Sequence, residues 1–122
     1  MNPEPKKVAK PWGEEVWFAE TDLYAGKLLR VRAGGRLSIQ RHERKDETSY
    51  LLSGRMVVWQ GPNPEEMERV EATPGMCWRS KPGLVHSLEA IDDSVVVEVS
   101  TPEVDDVIRL ADAYGRADEP EG

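Results

Sequence analysis

Between residues 15 and 100 the chain is cut repeatedly by turn-forming residues: Ala33-Gly34-Gly35, Ser53-Gly54, Gly61-Pro62-Asn63-Pro64, Pro74-Gly75, Lys81-Pro82-Gly83 and Asp92-Asp93. The pieces between these breaks are short and rich in β-branched and aromatic residues, which suit a pleated, half-buried surface. They predict strands over 15–19, 27–32, 36–41, 48–53, 56–60, 68–72, 76–79, 86–90 and 95–100. Many short strands at regular spacing imply an all-β sandwich or barrel. One short C-terminal helix is expected over 105–114, with Asp105 and Asp106 in its first turn and Val107, Leu110 and Ala111 on one apolar face. It would pack on, or close, one end of the barrel. Residues 1–10, rich in Pro and Lys, read as a flexible arm, 11–116 as a single domain and 117–122 as an acidic tail.

The 122 residues suffice to bury a core in one domain. Cys77 is the one cysteine, which excludes an intramolecular disulfide, and its neighbours Met76 and Trp78 imply a buried thiol. A formal net charge of -7 argues against a nucleic-acid partner, which would call for a basic face. No apolar run approaches the roughly 20 residues of a membrane-spanning helix. The expectation is a soluble, cytoplasmic protein with neither a membrane nor a nucleic-acid partner. Arg36, Arg41, Arg44 and Lys45 gather near one segment and Arg79 and Lys81 near another, a distribution that suits an anionic small molecule.

Chemistry concentrates around the two histidines. The first lies in Gly34-x5-Gln40-x-His42-x4-Glu47-x6-Gly54 and the second in Gly75-x7-Gly83-x2-His86. Gln40 and His42 are two apart on an expected strand, so their side chains share a face. Glu47 opens the next strand after a charged turn, and His86 follows the tight turn at Lys81-Pro82-Gly83. Gln40, His42, Glu47 and His86 together offer an amide oxygen, two imidazoles and a carboxylate. That set suits one divalent transition metal (Zn, Mn, Fe, Co or Ni) better than Ca or Mg.

These spacings resemble the two cupin motifs, with Gln40 where the first motif usually has histidine. The chain is similar above all to the C-terminal cupin domain of type II mannose-6-phosphate isomerases. The resemblance rests on Lys10-Pro11-Trp12-Gly13, Leu37-Ser38-Ile39-Gln40, Tyr50-Leu51-Leu52-Ser53-Gly54, Pro74-Gly75 and Pro82-Gly83-Leu84-Val85-His86. Asp105-Asp106-Val107-Ile108-Arg109-Leu110 and Tyr114-Gly115-Arg116 extend it to about residue 116. The chain departs from the family at Glu43, Arg44, Lys45 and Ser49, where a histidine-rich stretch and a tryptophan are usual. The resemblance implies a double-stranded β-helix, or jelly-roll barrel, and a homodimer. It also implies metal-dependent aldose–ketose isomerisation of a sugar or sugar phosphate through a stabilised enediolate. Lys27 and Glu98 would then be internal acid/base or orienting groups, and Arg116 a clamp on phosphate or enediolate. Two other functions fit the same residues: a noncatalytic metal- or carbohydrate-binding cupin, and an Fe(II)-dependent dioxygenase using His42, Glu47 and His86.

Overall fold

The computed structural model describes residues 3–111. Over this span the chain forms β1 (Lys6–Lys10), β2 (Gly13–Glu20), β3 (Ala25–Val31), β4 (Ile39–Arg41), β5 (Glu47–Ser53) and β6 (Met56–Gly61). These are followed by β7 (Glu68–Ala72), β8 (Cys77–Ser80), β9 (Val85–Ala90), β10 (Ser94–Ser100) and β11 (Ile108–Ala111). A six-stranded sheet runs β1-β2-β3-β10-β5-β8 and a five-stranded sheet runs β11-β4-β9-β6-β7. All of these neighbours pair antiparallel. Consecutive strands repeatedly switch sheets, which is how a jelly roll brings sequence-distant segments face to face.

The side chains that meet between the sheets come in two adjoining layers. Leu29, Val96 and Leu51 lie opposite one another on β3, β10 and β5. With Trp12, Val31, Met56, Val58, Ala72, Leu88 and Ala90 they form the apolar core. Each large side chain buried there contributes about 1.5–3 kcal/mol. Two residues along the same strands, on the same face, Lys27, Glu98 and Ser49 stand opposite one another instead. All three are buried. One end of the barrel is therefore filled with hydrocarbon and the other with polar groups.

Three sequence expectations change. No helix forms over the described part of 105–114: Val104 and Asp105 make a turn, and Ile108–Ala111 are β11, paired with β4. Residues 112–114 lie outside the described residues. The reason is tertiary. β4 is short and would otherwise be a bare edge, while Val107 and Arg109 are buried with the period of two that a strand needs. Part of the expected flexible arm is β1, which pairs along β2 and lays the Lys6 ammonium 4.4 Å from the centre of the Trp17 ring. A lysine-rich strand is a usual way to finish a sheet edge. Cys77 is exposed rather than buried, because Trp78 is the residue of β8 that turns inward opposite Ser49. Among the described residues no helix is long and apolar enough to cross a membrane.

Candidate metal centre

Strand register brings the two histidine segments together. Gln40 on β4 is paired with His86 on β9, in the five-stranded sheet. The chain then leaves that sheet at His42, turns through residues 43–46 and enters the six-stranded sheet at Glu47. His42 and Glu47 thus approach each other across the gap between the sheets. The β8–β9 turn is tied to the same place: Gly83 adopts φ +85°, which favours glycine, and its N–H donates to the His42 carbonyl at 2.8 Å.

The ligand atoms of His42, Glu47 and His86 all lie within 4.8 Å of one another, and all three residues are buried. His42 Nε2 is 2.7 Å from Glu47 Oε1, and His86 Nε2 is 3.3 Å from the same oxygen. The other nitrogen of each ring faces a backbone carbonyl: Asp106 O at 2.5 Å from His42 Nδ1 and Leu84 O at 3.0 Å from His86 Nδ1. A carbonyl can only accept, so each Nδ1 carries the proton. In the neutral imidazole Nε2 is then a lone pair, and both lone pairs point at a carboxylate oxygen. His86 Nε2 is a buried polar atom without a hydrogen-bond partner. Two imidazole lone pairs and a carboxylate converging in a buried space fit a divalent cation, and protons on Nδ1 held by carbonyls fix ring tautomer and tilt.

Charged groups crowd around this triad. Glu98 hydrogen-bonds to Glu47. Burial, the Glu47 charge and that hydrogen bond push Glu98 well above the usual carboxyl range. Burial pushes Glu47 the same way, but the hydrogen bond from Glu98, the adjoining His42 and His86 and the Lys45 charge hold it well below that range. Lys27 Nζ lies 3.6 Å from Glu15 and 4.1 Å from the centre of the Trp17 ring, whose Nε1 donates to Glu15 at 2.8 Å. Lys45 Nζ is 4.0 Å from Glu98. Burial pulls Lys45 down, yet the surrounding carboxylates, Glu47 and Glu98 foremost, raise it overall.

Of the residues singled out in the sequence, His42, Glu47 and His86 form the triad. Gln40 lines the two small cavities beside it, of about 20 and 30 Å³. Lys27 and Glu98 face each other across β3 and β10 and line the second of these. Arg116 lies outside the described residues. Four residues of the site were missed. Lys45, two before Glu47, and Glu15, two before Trp17, turn inward by the same period of two that paired Gln40 with His42, and that signal was available. Arg109 is buried opposite Gln40, and Asp106 meets His42; both were obscured by the helix assignment.

Residues 2–112 match the family model described as mannose-6-phosphate isomerase C-terminal. The chain belongs to that family. Its two-sheet architecture is the cupin fold, and several solved structures share it. KdgF from Halomonas sp. superposes with a TM-score of 0.67 at 21% identity, over 84% of this chain and 91% of that one. Oxalate decarboxylase from Bacillus subtilis gives 0.73 at 15%, over 87% and 30%. The capsular polysaccharide assembling protein CapF from Staphylococcus aureus gives 0.68 at 17%, over 96% and 33%. This member of the mannose-6-phosphate isomerase C-terminal family therefore spans only about a third of the last two chains, and the likeness to all three is one of fold. A search of curated proteins returns no significant match.

Proposed function

We propose that the protein is a metal-dependent isomerase interconverting an aldose and a ketose, free or phosphorylated. The observation that carries this reading is the Lys27–Glu98 pair, buried on facing strands beside the His42–Glu47–His86 triad. Aldose–ketose isomerisation moves a proton between neighbouring carbons. It needs a proton carrier, and fixed positive charge near the oxygen on which negative charge develops, in a site with little water. Glu98 is the proton carrier in this reading. Lys27 and Lys45 supply ammonium groups that orient substrate oxygens. Gln40, His42, Glu47 and His86 would hold one divalent transition metal, which when bound supplies Lewis-acid stabilisation of the developing charge. Family membership supports the substrate class. Phe18, Tyr50, Leu52 and Val99 leave apolar surface exposed on strands of the six-stranded sheet, which supports a homodimer through that face.

A second reading is favoured by one observation. The cavities beside the triad, about 20 and 30 Å³, hold little more than a water each. A noncatalytic metal-binding cupin that receives a small ligand needs no larger opening, whereas a sugar phosphate requires the wall at Val104 and Val107 to yield. The test is solvent-deuterium incorporation into mannose 6-phosphate and other aldose phosphates by metal-loaded protein in D2O, followed by NMR. Incorporation in wild type and its loss in Glu98→Gln support the isomerase. Ligand binding without incorporation supports the second reading, and oxygen uptake with Fe(II) would replace both with an oxygenase.

A further inference from the structure

We infer that Asp106 is a positioning residue for the metal centre, acting on His42 through its carbonyl and on the β4–β5 loop through its carboxylate; the inference rests on the metal-centre part of the preceding reading. The loop of residues 43–46 joins two of the three converging groups, His42 and Glu47. Its backbone N–H groups have no strand partner, and three consecutive ones are satisfied by a single side chain. Glu43 N donates to Asp106 Oδ1 at 3.1 Å, while Arg44 N and Lys45 N donate to Oδ2 at 2.6 and 2.9 Å. A carboxylate taking several successive main-chain N–H groups forms short charge-assisted bonds and fixes the path of the loop that supplies them. The carbonyl of the same residue takes the His42 Nδ1 proton. One residue from a distant segment thus sets both the course of the chain between the two groups and the aim of the first imidazole.

Neighbouring contacts explain why this point is fixed. Thr101 N donates to the Asp46 carbonyl and Asp46 N donates to Thr101 Oγ1, each at 3.0 Å. The segment from 101 to 107 is therefore tied to the far end of the loop as well, and Val104 and Val107 close the cavity next to the triad. Without the Asp106 carboxylate the N–H groups of 43–45 would turn to water, and the carbonyl against His42 would lose the anchor that holds it there. The ring would be free to rotate about its own bonds, and the Nε2 lone pair would no longer be aimed in advance.

The test is a titration with Co(II) as the probe, read both as affinity and as the visible absorption of the bound ion, on wild type, Asp106→Ala, Asp106→Asn and Asp93→Ala. Asp93 is a comparison anchor: its Oδ1 accepts the Ala33 N–H at 2.8 Å, in a turn that carries none of the triad. Far-UV circular dichroism confirms that each variant is folded. Weakening of Co(II) binding by about 10- to 100-fold in Asp106→Ala, as expected when the groups orienting a ligand are removed, supports the inference. A smaller loss in Asp106→Asn, an altered Co(II) spectrum in both, and wild-type behaviour in Asp93→Ala complete the expected pattern. Unchanged affinity and spectrum in folded Asp106→Asn would overturn it, as would an equal loss in Asp93→Ala. Wild type that binds no Co(II) would overturn it together with the metal centre. Wild type that binds Co(II) but isomerises nothing would sink the isomerase alone, since the titration reads affinity only.

Discussion

Metal binding at this centre should show as a large thermal stabilisation that one histidine controls. The triad exists only when β4, β5 and β9 have assembled, since His42 and Glu47 lead into one sheet while His86 belongs to the other. The unfolded chain holds these residues far apart, so the ion binds the folded state almost exclusively. At a free metal concentration of 100 times Kd the linkage is worth about 2.7 kcal/mol. For 122 residues at about 2.1 cal/mol/K each, the unfolding entropy near 60 °C is about 0.26 kcal/mol/K, so Tm should rise by about 10 °C. His86→Ala removes one of the three donors. If this weakens binding a hundredfold, the same metal concentration equals the new Kd, and the gain falls to about 0.4 kcal/mol, or about 2 °C. The comparison must be between shifts, because deleting a buried ring changes the metal-free Tm as well. Melting curves with and without Zn(II), Mn(II), Fe(II), Co(II) and Ni(II) make the measurement. No shift in wild type with any of the five, or equal shifts in wild type and His86→Ala, would refute the argument.

Further predictions concern neighbouring features. Glu98→Gln keeps a hydrogen-bond donor toward Glu47, so its Tm should stay near that of wild type while isomerisation, measured by deuterium incorporation, falls by about 10²- to 10⁴-fold. Gly54→Ala should destabilise by more than about 2 kcal/mol in urea unfolding, because φ is +94° and a Cβ would run into Ser94 and the Asp93 carbonyl. Acid stability should depend on two aspartates. The Arg79 hydrogen bond holds Asp46 below its usual value; burial pushes Asp106 up, but the amides of Arg44, Lys45 and Glu43 outweigh it and hold it below. Depressed folded-state values mean that the stabilisation is present above the ordinary carboxylate range and is lost as pH falls through the folded values. Urea midpoints of wild type should therefore drop more steeply below about pH 4 than those of Asp106→Asn.

Most of the barrel was legible because it depends on local chemistry. Nine of the eleven strands among the described residues were expected from turn residues and β-branched runs, and the expected 68–72 coincides with β7. The triad was legible because His42, Glu47 and His86 stand at positions relative to glycines that a switching, two-sheet topology brings together. What was hidden depends on partners distant in sequence. Residues 6–10 carry no strong strand signal and become β1 because β2 offers an open edge. Residues 108–111 have a pattern compatible with helix, and β4 decides the matter by pairing with them. Asp105 and Asp106 looked like a helix start because carboxylates favour free backbone N–H groups. Asp106 does satisfy such groups, but they belong to residues 43–45. Cys77 was misplaced because an apolar triplet on an edge strand alternates its faces, and only the fold shows which member turns inward.

The orientation of both imidazoles is entrusted to the main chain: carbonyls of residues 84 and 106 take the Nδ1 protons. Carbonyls are present whatever the side chain, so point substitution at position 84 leaves the hydrogen-bond acceptor in place; position 106 also keeps its carbonyl, but there the carboxylate is what holds the carbonyl against the ring. Drift in the side chains lining the pocket is then compatible with a steady geometry at the two rings. Changes that move backbone, such as insertions in the β8–β9 turn or proline near residue 84, are the ones to which this centre is exposed. A site built this way can change what it accepts more readily than how it aims its two rings.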